Sequence, residues 1–557
     1  MAEQRPRPRR HALCVRPRPN PEAPAFLRAI SDEWIEALAL HCDVTTIEHD
    51  FDFNEVCDRV RPDFVIYDAV HWVRPTRINV ANARAHPHLP RAFFFNCDPH
   101  DPMRPQFMEL LHLYGIDTVF CGLEHLKQMP ELRQLNCFIL PLFVDTEVFR
   151  DYGVERNIPV SVFGGHLYPT FYRWRARLLN EIRHIIPTLI YPHPGYGNGQ
   201  PGPFEVRGEP YARLLCASRF SVADTTRLDY VVRKHLEIPA TGAILIAPDS
   251  AVLGALGFID MENCILGEGP SLYQKIAAVA GDAQTCERIS AAGHDLVHRR
   301  YARHNWTHMV DWFECRSACQ PGEVTQQEAV FGHFRNVPAG PDVIPIAGFA
   351  LAESPMSQVL GEAAAAIRDG GNLDHAKARL HEVSGWIGHI AEPRYLLGVI
   401  AMLQGDLDQG MLLVGRRAFS SDGDKLRIGQ LDPCELAWLL LIGGIRNDPA
   451  LCAQLIERAR HTAHVSVRRV MWMLSGASPS ADFRAEGLLT AQPGDWPSIH
   501  WGGQDSFPQW LGVLARLLEA NGAAALADYM RLIAARVEAD GHAEQVAPIA
   551  AGAHHAA

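Results

Sequence analysis

Short apolar runs punctuate the first half of the chain, and stretches of helical spacing separate them. Ala12 to Val15, Val44 to Ile47, Phe64 to Tyr67, Ala92 to Phe95, Thr118 to Cys121 and Phe138 to Val144 read as strands, while Ala25 to His41 and Phe107 to Tyr114 read as helices. Near-continuous apolar strands alternating with helices predict a doubly wound α/β domain with a parallel sheet. A second alternating set follows: the strand Val160 to Phe163 ending in Gly164-Gly165, an Arg-rich helix from Tyr172 to Ile186, strands at Thr188 to Tyr191 and Ser218 to Val222, and closing helices to Phe313. After residue 360 the pattern is helical only. The expected layout is a disordered lead-in at 1–10, a first Rossmann-like domain at 11–150, a second Rossmann-like domain at 151–316, a Pro/Gly-rich linker at 317–360, a helical domain at 361–540 and a flexible tail at 541–557. Two α/β domains in series predict a ligand cleft at the carboxyl ends of their strands.

The densest chemistry lies at 227–249, which reads as helix, glycine stop and buried strand. Asp229 is placed to cap the helix, Gly242 to end it, and Ala243 to Ala247 to form a parallel strand. Asp229, Arg233, Lys234 and Glu237 put two acids and two cations in one unit, which suits a ligand carrying phosphates and hydroxyls. The bland alternative is an i,i+4 surface pair between Arg233 and Glu237, stabilising by roughly 0.2–0.5 kcal/mol.

This segment resembles the nucleotide-sugar motif of GT-B glycosyltransferases, in particular the group-1-like, spore-maturation (CgeB-like) proteins. The resemblance rests on Lys234, Glu237 and the turn Pro239-Ala-Thr-Gly242, and spans roughly residues 60–315. It implies that Glu237 grips the donor ribose and that Asp229 faces the sugar or diphosphate. Asp229 stands where the family commonly has Glu, and the Pro-rich loop Arg16 to Ala23 stands where many members carry glycines. The Gly164-Gly165 turn would present backbone N–H groups to an anion, with Arg173 on the diphosphate. Arg233 and Lys234 would neutralise the leaving diphosphate, so that no metal is needed. The Asp-x-Asp of the first domain, Asp50-Phe-Asp52, falls in a charged segment read as an exposed loop.

A base for the acceptor hydroxyl, in an inverting reaction, would come from the first domain. Asp98, His100 and Asp101 follow one strand end; Asp68 and His71 follow another and are rivals. Each is equally readable as a turn residue. His193 and Tyr196, in a Gly/Pro loop, could cap the nucleotide base.

A net charge of −12 excludes a nucleic-acid binder, which needs a basic surface. The 13 cysteines show no paired spacing, which suggests buried thiols in a reducing compartment and hence a cytoplasmic location; the family resemblance implies a bacterial enzyme. No apolar stretch is long enough to span a membrane. Histidines at 294/298 and 304/308 share i,i+4 spacing without a third metal ligand, so no metal or cofactor is expected beyond a nucleotide-diphosphate sugar as co-substrate.

In the helical region, Gly371-Asn-Leu-Asp374 and Gly405-Asp-Leu-Asp408 are 34 residues apart, the tetratricopeptide period. Tyr395-Leu-Leu-Gly398 and Ala418 strengthen that resemblance. It implies a repeat domain binding a peptide or protein acceptor; a stabilising appendage is the alternative. The sequence thus predicts a glycosyltransferase, with a non-catalytic GT-B-like scaffold as the competing reading.

Overall fold

The structure, a computed structural model, describes residues 9–18, 25–68, 78–96, 113–123, 136–164, 170–191, 206–348, 354–386, 392–415, 433–460, 465–475 and 507–540, with a few isolated positions besides. By its contacts the chain forms two compact units. One comprises Met1–Asn96, Thr118–Glu124 and Asn136–Leu351; the other comprises Cys97–Asp117, His125–Leu135 and Ala352–Ala557.

The first unit holds two α/β halves. In the N-terminal half the strands are β1 (His11–Val15), β2 (Asp43–Ile47), β3 (Phe51–Asp52), β4 (Phe64–Asp68), β5 (Val80–Ala81), β6 (Arg91–Phe94), β7 (Thr118–Cys121) and β8 (Asn136–Ile139). Six of them make a parallel sheet in the order β2-β1-β4-β6-β7-β8, and the two-residue β3 and β5 pair apart from it. Every residue of β4 and β7 is buried, as expected of strands covered on both faces. Helix α1 (Ala25–Ala39) joins β1 to β2, and α2 (Phe53–Val60) follows β3. Asp52 caps α2, accepting from Asn54 N at 2.8 Å, while Asp50 accepts from Asn79 N at 2.8 Å and from its Nδ2 at 2.9 Å. The Asp-x-Asp therefore clasps a helix start and a strand pair, rather than lying free in a loop.

The second half is a parallel sheet of β9 (Ile158–Phe163), β10 (Thr188–Tyr191), β11 (Ser218–Val222), β12 (Ile244–Ala247) and β13 (Ile265–Leu266), in the order β10-β9-β11-β12-β13. Its helices are α3 (Arg173–Ile182), α4 (Glu209–Cys216), α5 (Lys234–Ala240), α6 (Ala251–Ala255), α7 (Gly269–Gly281) and α8 (Ala283–Arg300). The next helix, α9 (His308–Ser317), does not stay with this sheet. Trp306, Met309, Trp312 and Phe313 lie in the core of the first sheet, with Phe64, Phe120 and Trp34. Phe313 stacks on Phe64 at 4.9 Å between centroids, and Trp312 meets Phe120 edge-on at 5.2 Å. The end of the stretch 151–316 is thus a cross-strap between the halves.

In each sheet the chain leaves its first strand one way and returns past it to build the other side. The reversal lies between β1 and β4 in the first sheet and between β9 and β11 in the second. Such switch points open crevices at the carboxyl ends of the flanking strands, where ligands bind.

The stretch 317–360 was expected as a linker, yet it holds an antiparallel hairpin of β14 (Glu323–Gln327) and β15 (Phe334–Pro338). Gln327 is fully buried; its amide accepts from Ile139 N at 3.0 Å and donates to Ile139 O at 2.9 Å. One side chain thus does for edge strand β8 what a neighbouring strand would do.

The second unit contains α10 (Pro355–Asp369), α11 (Leu373–Ser384), α12 (Glu392–Leu403), α13 (Leu407–Val414), α14 (Pro433–Ile445), α15 (Pro449–Arg460), α16 (Val465–Ser475), α17 (Phe507–Ala520) and α18 (Ala524–Asp540). Consecutive helices pack as hairpins: α10 with α11, α12 with α13, α14 with α15, and α17 with α18. Asn372 and Asp406 cap α11 and α13, each accepting from the N–H three residues on at 2.9 Å. The repeated tetrapeptide is therefore a repeated helix cap. Gly398 and Gly410 let α12 and α13 touch: a Cβ on Gly398 would sit 2.8 Å from Val414 Cγ2, and one on Gly410 2.2 Å from Met402 Cγ. Helix α17 packs on α10 and α12, with Arg516 donating to Arg368 O at 3.0 Å and Asn521 to Met402 O at 2.8 Å. Nearly every residue of α12 and α14 is buried, so these inner helices present no open face.

Candidate active site

The site is built on the switch point of the second sheet. Strand β9 ends at Gly164, whose φ of +113° is a conformation open chiefly to glycine. A Cβ there would lie 3.2 Å from Lys234 Nζ and 3.5 Å from Arg175 Nη1. The missing side chain therefore lets two cations close on the strand end. Gly165 lies outside the described residues.

Arg175 comes from the first turn of α3. The buried positions of this helix are Arg175, Leu178, Leu179 and Ile182, an i, i+3, i+4, i+7 stripe with a guanidinium at its head. Arg175 stacks on the Tyr172 ring at 4.0 Å, and its backbone N–H is received by Asp224 Oδ2 at 3.1 Å. Asp224 follows the end of β11, the other wall of the crevice; burial raises its pKa, and the Arg175 N–H and nearby guanidinium pull it back. Arg173, the sequence's choice for the diphosphate, is off the buried stripe and exposed. It is the Arg175 guanidinium that approaches Gly164, and its phase in the apolar stripe was the signal that could have pointed to it.

Lys234 and Glu237 sit on the first turn of α5. Both keep some exposed surface but are walled in by protein, and this desolvation dominates their titration. It lowers the pKa of Lys234, with Arg175 adding to the shift and Glu237 opposing it. It raises the pKa of Glu237, with Lys234 and Arg233 opposing. Tyr211 Oη donates to Glu237 Oε2 at 3.4 Å. Glu237 is thus hydrogen-bonded on one side and next to a cation on the other.

Asp229 is not the cap of this helix, as was expected. Helix α5 begins five residues later with Arg233 as its N-cap and no side-chain capping bond. Asp229 instead lies at φ +60°, in a turn with Thr226 at φ +64°, and its Oδ1 accepts from Ser250 Oγ. Residues forced to positive φ cost on the order of 1–3 kcal/mol each, and here they fall between β11 and α5, beside the crevice. The glycine stop is as read from the sequence: Gly242 at φ +75° follows the end of α5, and its N–H bonds to Pro239 O at 2.8 Å.

Arg233 pairs with Glu33 on α1, so its partner in this structure is a carboxylate of the first half. His235 is fully buried, bonded to Val232 and depressed to about 4, a neutral packing histidine.

At the first sheet's switch point the described residues are Arg16 after β1 and Asp68 at the end of β4. Arg16 reaches Asp32 at 2.7 Å and Glu48 at 3.0 Å. His71, Asp98, His100, Asp101, His193 and Tyr196 lie outside the described residues. Among the described residues no group of three or more His, Cys, Asp or Glu is arranged to hold a metal ion. The His294 and His298 rings stack at 3.9 Å, and His298 Nε2 meets Ala240 O at 3.0 Å. No described helix is long and apolar enough to cross a membrane.

No family model and no curated protein sequence matches the chain. Solved structures do. The C-terminal domain of a glycosyl transferase group 1 family protein (LpcC) from Francisella tularensis is 18% identical over 28% of this chain and 98% of its own, with a TM-score of 0.22. Sucrose-phosphate synthase from Thermosynechococcus elongatus is 11% identical over 53% of this chain and 95% of its own, at 0.35. HepE from Anabaena, solved with UDP and glucose, is 10% identical over 53% and 96%, at 0.34. At such identities and scores the likeness says nothing of substrate or mechanism.

Proposed function

We propose that the chain is a glycosyltransferase of the GT-B type that moves a sugar from a nucleotide-diphosphate sugar to an acceptor, without a metal ion. One observation carries this reading: Lys234 Nζ and Arg175 Nη1 converge on Gly164 at the switch point of the second sheet, with Glu237 and Tyr211 alongside. Two cations brought together at one strand end, beside the carboxylates of Glu237 and Asp224, suit an anionic ligand that also carries hydroxyls. In sugar transfer the departing diphosphate gains negative charge, and fixed cations stabilise that charge where it develops. Glu237 would accept from the ribose hydroxyls, as the sequence resemblance implies, and Asp229 would face the sugar or diphosphate. Arg173 and Arg233 would form an outer cationic rim. Asp98, His100 and His71 remain candidates for the acceptor side. A non-catalytic scaffold gives no reason to keep Lys234, Arg175 and Glu237 desolvated together.

In the same reading the helical unit is a tetratricopeptide-like array that recruits a protein or peptide acceptor in a bacterial cytoplasm. Because α12 and α14 are buried, recruitment would use its outer helices.

A thermal-shift panel of UDP, GDP, ADP and their sugar conjugates tests the donor site, since a ligand of the native state raises stability by mass action. At least one nucleotide should raise the Tm. Glu237→Ala should remove that shift in a folded protein; an unchanged shift would remove Glu237 from the site.

A further inference from the structure

We infer that Asp224 is a positioning residue for the donor phosphates: it aims the Arg175 guanidinium by holding the start of α3 against the turn that carries Asp229. The inference rests on the nucleotide-sugar reading above.

Asp224 lies two residues past β11 and is 3% exposed. Its two oxygens have separate tasks. Oδ2 accepts from the backbone N–H of Arg175 at 3.1 Å, and Oδ1 from that of Thr226 at 3.1 Å. Arg175 is the third residue of α3, so its N–H is one of the donors that a helix start leaves without an internal partner. Tyr172, at the N-cap, makes no side-chain capping bond. Asp224 therefore caps α3 from a different strand. On its other side, Thr226 sits at φ +64° and Asp229 at φ +60°. A turn of that kind keeps its shape only where its surroundings hold it.

Further contacts run between the same two segments. Arg227 N donates to Phe171 O at 2.9 Å, and Tyr230 meets Phe171 edge-on at 6.3 Å between ring centroids. The start of α3 and the strained turn are thus laced into one piece, with Asp224 as its buried anchor. The cap has a second effect. An open helix start offers its N–H groups to a phosphate. Here the Arg175 N–H is taken, and the guanidinium, stacked on Tyr172 at 4.0 Å and close to Gly164, is left to meet the anion.

Charge and position predict opposite outcomes for this residue. Asp224 is an acid next to Arg175, so by charge alone its neutralisation would tighten a diphosphate. A residue that aims Arg175 would weaken the diphosphate when altered. Asparagine has nearly the same shape but only one acceptor oxygen, so one of the two backbone N–H groups would face an amide N–H instead.

The test is calorimetric titration of the full chain with UDP, GDP and ADP and with the matching nucleosides. Asp224→Asn should lose roughly 10–100-fold in affinity for the diphosphate that binds the unaltered protein, while affinity for the nucleoside stays the same. In an Arg175→Gln background the same change should cost nothing further, because the two residues act as one unit. A purely structural role would weaken nucleoside and diphosphate alike, and would persist in that background. Where the asparagine variant does not fold, Asp224→Ser, smaller and still able to accept one N–H, should show the same pattern. Tighter diphosphate binding by the variant overturns the inference, as does an equal loss for nucleoside and diphosphate. Two variants that both fail to fold would make Asp224 a support of the fold alone and overturn it as well. If no nucleotide binds the unaltered protein, the donor reading fails first and this inference with it.

Discussion

Arg233, at the start of α5, is paired with Glu33 on α1, and the pair joins the two α/β halves across the crevice region. Both side chains are about a third exposed, at 29% and 31%. A pair of that kind contributes only about 0.2–1 kcal/mol, so its interest is in what Arg233 is prevented from doing. While Glu33 holds it, Arg233 offers little charge to an anion at Gly164. Glu33 also pushes the pKa of Glu237 up, so it acts on Arg233 and Glu237 alike.

Glu33→Gln should therefore tighten UDP or GDP binding several-fold while shifting Tm little. Calorimetric titration checks this, and a cycle with Arg233→Gln isolates the pair. Equal affinity in both proteins would mean that Arg233 takes no part in donor binding.

Gly164→Ala should abolish the nucleotide-induced thermal shift. The added Cβ would meet Lys234 Nζ at 3.2 Å and Arg175 Nη1 at 3.5 Å, at a φ of +113° that L-residues rarely adopt. We expect a loss of roughly 1–3 kcal/mol in stability from the backbone alone. A variant with normal Tm and normal nucleotide response would show that the cations need no open strand end.

Lys234→Met should separate stability from binding. Burial lowers the pKa of Lys234 below its ordinary 10.5. Between the folded and unfolded values the unfolded chain binds more protons, so stability rises with pH in that window, and the cost of the buried charge is complete below it. At pH 7 the methionine variant should thus be more stable than the parent, with the gain fading as pH approaches 10.5. It should bind no nucleotide diphosphate. Differential scanning calorimetry across pH, with and without UDP, reads both effects.

The strands were legible because parallel sheets write their burial as unbroken apolar runs: Thr118 to Cys121 and Ser218 to Val222 form strands with the bounds read from the sequence. Gly242 was legible because a helix end needs positive φ. Asp229 misled because an acid before a helical pattern looks like a cap, whereas the helix starts only at Lys234, after a turn whose strain no local pattern records. Counting from the glycine turn pointed to Arg173, whereas the phase of the apolar stripe is what marks Arg175 as the arginine that lies beside Gly164. The return of α9 to the first sheet, the Gln327 clasp on Ile139 and the Arg233–Glu33 pair are contacts between residues far apart in sequence. No periodicity or spacing encodes them.

The buried Asp68 leaves a mark on stability that can be read without any ligand. Its folded pKa, near 7, lies above the 3.8 usual for Asp. Between those values the folded chain holds the extra proton, so stability falls as pH rises through the window and the full cost is present above pH 7. At about 1.4 kcal/mol per pH unit, the cost is at most roughly 4 kcal/mol. Asp68→Asn keeps the shape and the bond that Trp34 Nε1 donates to an oxygen here, while removing the charge. The variant should match the parent near pH 4 and exceed it in Tm by several degrees at pH 8. Thermal unfolding followed from pH 4 to 8 checks this without substrate. A difference between the two proteins that does not vary with pH would mean that Asp68 is not titrating in the fold.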